Sequence, residues 1–209
     1  YDGTLILANP NNPDGRVMET GMLRDLLDRR APDSWLLVDE AFADPDPPLS
    51  LAGLISDTRN LVIFRSFGKF FGLAGVRLGF VLGPPSVLDP LLRLLGAWPP
   101  SAAAVVIGTA AYADDAWIAA TRRRLPEQAA ALDAIVANAG HRPVGECPLF
   151  RLIELNDAQS LFERLANGVE QFAHPAFGFA LIGAQFGKVA RQFFHAPVEI
   201  VRRLMRVAH

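Results

Sequence analysis

The chain has 209 residues, 51% of them hydrophobic, with a formal net charge of −2. That length and composition supply a sizeable core for one large domain or one and a half, and the near-neutral balance gives no electrostatic basis for binding nucleic acid or an anionic membrane. A single cysteine, Cys147, excludes an internal disulfide framework and a cysteine zinc site, and it fits a reducing, cytoplasmic compartment.

Residues 4–8 read as a strand. The sequence opens at Tyr1 without a methionine, and a strand so close to the first residue suggests a fragment whose true N-terminus lies upstream. Residues 19–30 carry Met22, Leu23, Leu26 and Leu27 at helical spacing, with Thr20 as the expected cap. Residues 35–39, 61–65 and 76–82 follow as strands. They are rich in Val, Ile and Leu without strict alternation, the mark of strands covered on both faces. Strand, helix, strand predicts an α/β fold with a mainly parallel sheet.

From Ser86 onward the pattern is mostly helical, over residues 87–95, 101–112 and 114–139; the last helix continues through Pro126 and is long enough to bridge two domains. The longest apolar run, residues 102–113, is too short and too alanine-rich to span a bilayer. Residues 149–155 and 158–166 read as a strand and a helix of a smaller α+β domain. The expected organisation is a partial large domain over residues 1–113, a partial small domain over 114–167, and a tail over 168–209. In that tail phenylalanines crowd without a period, and helical pattern returns only at residues 198–207.

Three segments carry chemistry. Asn9-Pro10-Asn11-Asn12-Pro13-Asp14-Gly15 follows the first strand. Its residues suit a turn; they also suit an Asn amide, fixed between prolines, aimed at a ligand beside the strand ends. Val38-Asp39-Glu40-Ala41-Phe42 ends the second strand. Asp39 is either the first polar residue of a loop or the carboxylate partner of a cationic ring nitrogen. The third segment runs from Arg65 to Phe80, and its glycines permit close backbone approach. Within it lies Ser66-Phe67-Gly68-Lys69, with Arg77 eight residues after the lysine.

Lys69 and Lys188 are the only lysines in a chain that otherwise writes its cations as arginine. Lysine can lose its proton and form a Schiff base, and arginine cannot. A hydroxyl and a guanidinium at this spacing suit a phosphate. An imine-forming amine beside a phosphate site predicts pyridoxal phosphate, whose ring acts as an electron sink when a carboxylate keeps its nitrogen protonated.

Asn12, Asp39, Ser66, Lys69 and Arg77, in this order and each beside a strand end, resemble the site of the fold type I pyridoxal phosphate enzymes of the class I/II aminotransferase family. The resemblance runs over residues 5–155. It implies that Lys69 forms the Schiff base, Asp39 pairs with the pyridine nitrogen, Asn12 hydrogen-bonds the ring 3′ oxygen, and Ser66 and Arg77 hold the phosphate. Many relatives carry Tyr three residues after the aspartate; this chain has Phe42 and lacks that contact. The strings at residues 39–42, 65–75, 95–99 and 148–152 are most similar to cobalamin-biosynthetic threonine-phosphate decarboxylases, with histidinol-phosphate aminotransferases close by.

The implied activity is decarboxylation of L-threonine O-3-phosphate to aminopropanol phosphate, with a small phosphorylated amino acid as substrate and a homodimer as the full-length parent. A histidinol-phosphate aminotransferase-like enzyme and a truncated inactive remnant stand as alternatives. The family's N-terminal portion, which supplies a stacking aromatic and a phosphate-cradling turn, has no counterpart here. The resemblance ends after Asn167, and Arg191, Arg202, Arg203 and Arg206 fall in no matching motif, so no carboxylate-binding arginine is assigned.

Other features read as ordinary. Phe186-Gly187-Lys188 lacks the preceding serine and the later arginine, and Lys188 reads as a surface residue. His141, His174, His195 and His209 show no metal spacing, and no metal is expected. Arg122-Arg123-Arg124 reads as a solvated helix face, and Cys147 as a packed residue or a loop thiol.

Overall fold

The computed structural model describes residues 3–97, 99–160 and 162–163. The tail over 168–209, its expected helix and the Lys188 triplet lie outside them.

Strands β1 (Leu5–Ala8), β2 (Leu36–Asp39), β3 (Leu61–Ser66) and β4 (Gly79–Leu82) form one sheet in that order. β1, β2 and β3 are parallel, and β4 runs antiparallel to β3. Helix α1 (Thr20–Asp28) makes the crossover between β1 and β2. After β4 come α2 (Pro85–Leu95), α3 (Ala102–Tyr112) and the long α4 (Asp115–Asn138). A short antiparallel pair, β5 (Pro143–Val144) and β6 (Leu152–Ile153), follows.

Leu23 and Leu27 of α1 are buried against Leu36 and Val38 of β2 and Leu61 and Ile63 of β3, with Leu51 closing the cluster. Leu5, Leu7 and Leu82 pack on its edge. Burying one such side chain contributes about 1.5–3 kcal/mol, so this layer supplies the main force holding the sheet to α1. A second cluster of Phe67, Phe70 and Phe71 packs against Leu78, Ala111, Ile118 and Leu125, joining the loop after β3 to α3 and α4.

Several local expectations change. Glu19, not Thr20, is the N-cap residue of α1, without a side-chain cap bond; the Thr20 hydroxyl instead donates to Pro48 O at 2.6 Å. The strand expected from residue 76 begins at Gly79, because a 3-10 turn over Ala74–Val76 ends in left-handed Arg77. The strand expected over residues 149–155 is reduced to β6. Ser101 does cap α3, accepting from Ala104 N at 3.1 Å, and Asp114 caps α4, accepting from Trp117 N at 2.9 Å.

Among the described residues the sheet is not covered on both faces along its length. Leu5 and Leu7 face the core, while Ile6 between them is 69% exposed. Phe64, on the same face as Ile6 by register, is 36% exposed. Arg122 is not solvated either: its Nε donates to Asp44 O at 3.0 Å and its guanidinium lies 5.7 Å from the Phe70 ring centre.

The chain divides into compact units over Tyr1–Ile153 and Glu154–His209. The division expected at residues 113/114 falls inside the first unit, because Arg122, Trp117 and Ile118 fasten α4 to the loops that follow β2 and β3. In the second unit the described residues include a helical turn in which Ser160 N donates to Asp157 Oδ1 at 3.0 Å.

Candidate active site

Because β1, β2 and β3 are parallel, the loops after them leave the sheet at one edge, the place where open α/β sheets bind ligands. Asn12 lies in the loop after β1, Asp39 ends β2, Ser66 ends β3, and Lys69 is in the loop that follows. Arg77 reaches the same edge by another route. β4 runs backwards, so its start pairs Gly79 with Ser66 and brings the arginine just before it to the serine's end of the sheet. The antiparallel strand is therefore what gathers the expected phosphate pair.

The register also sorts faces. Asp39 pairs with Phe64, and Ser66 lies two along the same strand, so both side chains leave the face that carries Ile6. That is the partly open face described above.

The Asn loop is held by side-chain hydrogen bonds at both ends. Asn9 is fully buried; its Oδ1 accepts from Met18 N at 2.8 Å and its Nδ2 donates to Met18 O at 3.0 Å. Asn11 Nδ2 donates to Asp14 Oδ1 at 2.7 Å, and Arg16 N donates to the same oxygen at 3.1 Å. The Asn11 amide and the Arg16 amide hold the Asp14 carboxyl below its usual range. The peptide bonds Asn9–Pro10 and Asn12–Pro13 are cis. Asn12 stands exposed between these anchors with no side-chain partner among the described residues.

Asp39 is fixed through its backbone. Asn9 N donates to Asp39 O at 2.9 Å, and its own Oδ1 accepts from Ala41 N at 2.9 Å. Oδ2 has no partner among the described residues. Lys69 is exposed, and its Nζ lies 5.3 Å from the centre of the Phe42 ring, which itself packs edge-on against Phe150 at 4.8 Å. The loops after β2 and β3 thus meet at the lysine.

The lysine loop is anchored by its neighbours. Phe67 and Phe71 stack at 4.9 Å, Phe71 stacks on Trp117 at 5.7 Å, and Tyr112 closes on both phenylalanines. Burial, and then the Asp44 charge, pushes the Tyr112 hydroxyl above its usual range. Gly68 sits where an added Cβ would come within 2.7 Å of Ala74 Cα. Arg77 is the one non-glycine residue with positive φ among those described, at φ 57° and ψ 42°. Among the described residues its guanidinium makes only a long 3.3 Å bond, to Ala74 O. A side chain held in this conformation costs about 1–2 kcal/mol relative to the right-handed region, so its persistence directs attention to what the guanidinium does.

Residues 2–188 match the model of the family described as aminotransferase class I and II. The chain belongs to this family. The match continues past Asn167, where the resemblance was read to end. Against curated members the chain is 44% identical to a threonine-phosphate decarboxylase of Sinorhizobium sp, over 78% of this chain and 49% of the relative. It is 37% identical to a histidinol-phosphate aminotransferase of Symbiobacterium thermophilum, over 65% of this chain and 38% of the relative. The fold is similar to that of histidinol-phosphate aminotransferase from Sinorhizobium meliloti, solved in complex with pyridoxal-5′-phosphate, with a TM-score of 0.66 and 23% identity over 78% of this chain and 45% of that one. The chain spans about half the length of the curated decarboxylases it matches.

Within this family member the sequence motifs named the residues at the sheet edge. They missed the groups beneath them. Glu40 is fully buried, and Arg65 and Asp44 join it in an ion cluster. The available signal was a charged residue, Arg65, at the end of the apolar run Leu61-Val62-Ile63-Phe64. Among the described residues no group of His, Cys, Asp and Glu is arranged to hold a metal ion, and no helix is long and apolar enough to cross a membrane.

Proposed function

We propose that this chain carries the pyridoxal phosphate site of an enzyme that decarboxylates L-threonine O-3-phosphate. What supports the cofactor is the set of uncommitted groups at one sheet edge: Asp39 Oδ2, the Ser66 hydroxyl and the Asn12 amide lack partners among the described residues, and Arg77 has only one long bond. Lys69 shares the edge and has no ion pair among the described residues. This donor set fits the group: an acceptor for a ring N–H, donors for a phosphate and a ring oxygen, and an amine for an aldehyde. The substrate assignment is supported by the 44% identity to a threonine-phosphate decarboxylase.

When bound, pyridoxal phosphate supplies an electron sink for the charge that develops at the substrate Cα. The chain's own groups do the rest. Asp39 would keep a proton on the ring nitrogen, Ser66 and Arg77 would hold the phosphate oxygens, and Asn12 would donate to the ring oxygen. Lys69 Nζ would hold the cofactor through its aldehyde and would be the group placed to carry a proton to the substrate Cα. The reading includes a cytoplasmic, homodimeric parent.

A second reading, an aminotransferase acting on a phosphorylated amino acid, is favoured by the 37% identity to a histidinol-phosphate aminotransferase. The two share every residue named above and differ in which Cα bond breaks. The test is to incubate the chain with pyridoxal phosphate, reduce with borohydride and map the adduct, then assay L-threonine O-3-phosphate for carbon dioxide against keto acid. Labelling at Lys69 with carbon dioxide release is the expected result. Predominant labelling at Lys188 sinks the site, and keto acid without carbon dioxide replaces the decarboxylase with the aminotransferase.

A further inference from the structure

Directly after Asp39, Glu40 turns to the other side of the sheet and is fully buried. Its carboxylate is saturated: Oε1 accepts from Leu51 N at 2.7 Å, and Oε2 accepts from Ser50 Oγ at 2.5 Å and from Arg65 Nη1 at 2.9 Å. The same guanidinium donates Nη1 to Ser50 Oγ at 3.2 Å and Nη2 to Asp44 Oδ1. Burial alone would lower Arg65, but the Asp44 and Glu40 carboxylates outweigh it and hold the guanidinium above its ordinary range. Arg65 is the residue before Ser66, and Glu40 N donates to Phe64 O at 2.8 Å. The ion pair therefore bolts the end of β2 to the end of β3, one residue after Asp39 and one residue before Ser66.

We propose that the Glu40–Arg65 pair, braced by Asp44, is a positioning device that sets the spacing between Asp39 and Ser66 on the opposite face of the sheet. The proposal rests on the cofactor reading for its consequence, but its structural content stands on the pair alone. Three features favour positioning over bulk stability. The pair joins two strands that are already hydrogen-bonded along their length, so the ladder does not need it. Buried pairs of this kind are more often neutral than stabilising against an apolar replacement. A fork that bridges Glu40 and Asp44 at once fixes direction as well as distance, which a point charge does not.

The test uses Arg65→Lys, Glu40→Gln and the paired replacement Glu40→Leu with Arg65→Met, each beside the unaltered chain. The first readout is amide hydrogen exchange at Ala41, whose N–H is held by the Asp39 carboxylate and so reports its position without any cofactor. Exchange at Ala41 is expected to rise on the order of tenfold in Arg65→Lys, about 1.4 kcal/mol of local opening, while Leu7 in β1 is unchanged. The second readout is pyridoxal phosphate affinity and the absorbance maximum of the bound cofactor. Affinity is expected to fall roughly tenfold with a shifted maximum, at a melting temperature within a few degrees of the parent. The paired replacement is expected to fold and still show both changes. Unchanged Ala41 exchange and unchanged affinity in a folded variant overturn the proposal, as does loss that tracks the melting temperature alone. Failure of the unaltered chain to bind pyridoxal phosphate sinks the cofactor reading, and the exchange result then still decides the positioning role.

Discussion

Lys69 Nζ stands 5.3 Å above the ring of Phe42, so a side chain from the loop after β2 guides the amine presented by the loop after β3. An exposed cation–π contact of this kind contributes about 0.5–1 kcal/mol. The contact holds the charged ammonium, whereas the neutral amine adds to an aldehyde, so replacing Phe42 by Ala should speed modification of Lys69 by pyridoxal phosphate and borohydride about two- to fivefold. Phe42→Tyr keeps the ring and should keep the rate. Peptide mapping of the labelled chain over a time course checks both; equal rates in Phe42→Ala and the parent refute that hold.

Gly68→Ala should destabilise the lysine loop. The added Cβ would stand 2.7 Å from the Ala74 backbone and 3.1 Å from its Cβ, and neither is the flexible end of a side chain. Overpacking of this sort costs about 1–3 kcal/mol. Urea unfolding should show the loss with an unchanged m-value. A Gly72→Ala change tests something different, because that site is open but has φ +68°, so its cost is strain rather than collision.

Arg77 offers a separation of stability from binding. Asn tolerates the left-handed region better than Arg, so Arg77→Asn should unfold at the same temperature or a slightly higher one, within about 1 kcal/mol. The same change removes a guanidinium from the expected phosphate pair. Pyridoxal phosphate affinity should fall by about 1.5–3 kcal/mol, roughly ten- to a hundredfold. Fluorescence titration beside a thermal melt reads both quantities. A melting temperature that drops with the affinity would mean that Arg77 serves the fold instead.

Cys147 is buried, and burial pushes its thiol above the ordinary range. The native state thus favours the neutral thiol more strongly than the unfolded chain does. That contribution is intact below the unfolded thiol value of about 8.5 and is lost as pH rises toward the higher native value. Stability measured by urea unfolding should decline above about pH 8.5 in the parent and more gently in Cys147→Ala. Iodoacetamide at pH 8 should label the native thiol only as fast as the structure opens. Immediate labelling of the folded chain contradicts its burial.

The residues of the proposed site stand out in the sequence because they sit beside strand ends and announce themselves locally. Lys69 stood out by scarcity, and Asp39 by closing an apolar run. β2 and β3 were legible for the same reason, since Leu36-Leu37-Val38 and Leu61-Val62-Ile63-Phe64 are apolar runs with polar ends. What escaped depends on residues far apart in sequence. The Glu40–Arg65–Asp44 cluster forms only once β2 and β3 lie side by side, and no local pattern encodes it. Arg122 looked solvated because its partners, Asp44 O and Phe70, come from other loops. The start of β4 was misread because Val76-Arg77-Leu78 has strand propensity, which the turn at Ala74–Val76 overrides. The exposure of Ile6 was unreadable because an edge strand with an open face has the same composition as a covered one.

The reversal of β4 ties both ends of the lysine-bearing loop to a single ladder, with Ser66 at one rim and Gly79 opposite it. The entropy of closing that loop is therefore met during folding, by the pairings from Ile63–Leu82 to Ser66–Gly79, and not when an anion arrives. A ligand held at Ser66 would meet a loop whose two ends are already paired, so binding there would forfeit little conformational freedom. The same closure insulates the rims from the interior of the loop. The pairing itself stops at Gly79, so Arg77 lies inside the closed loop with Lys69, and a change of length among residues 70–73 would bear on both.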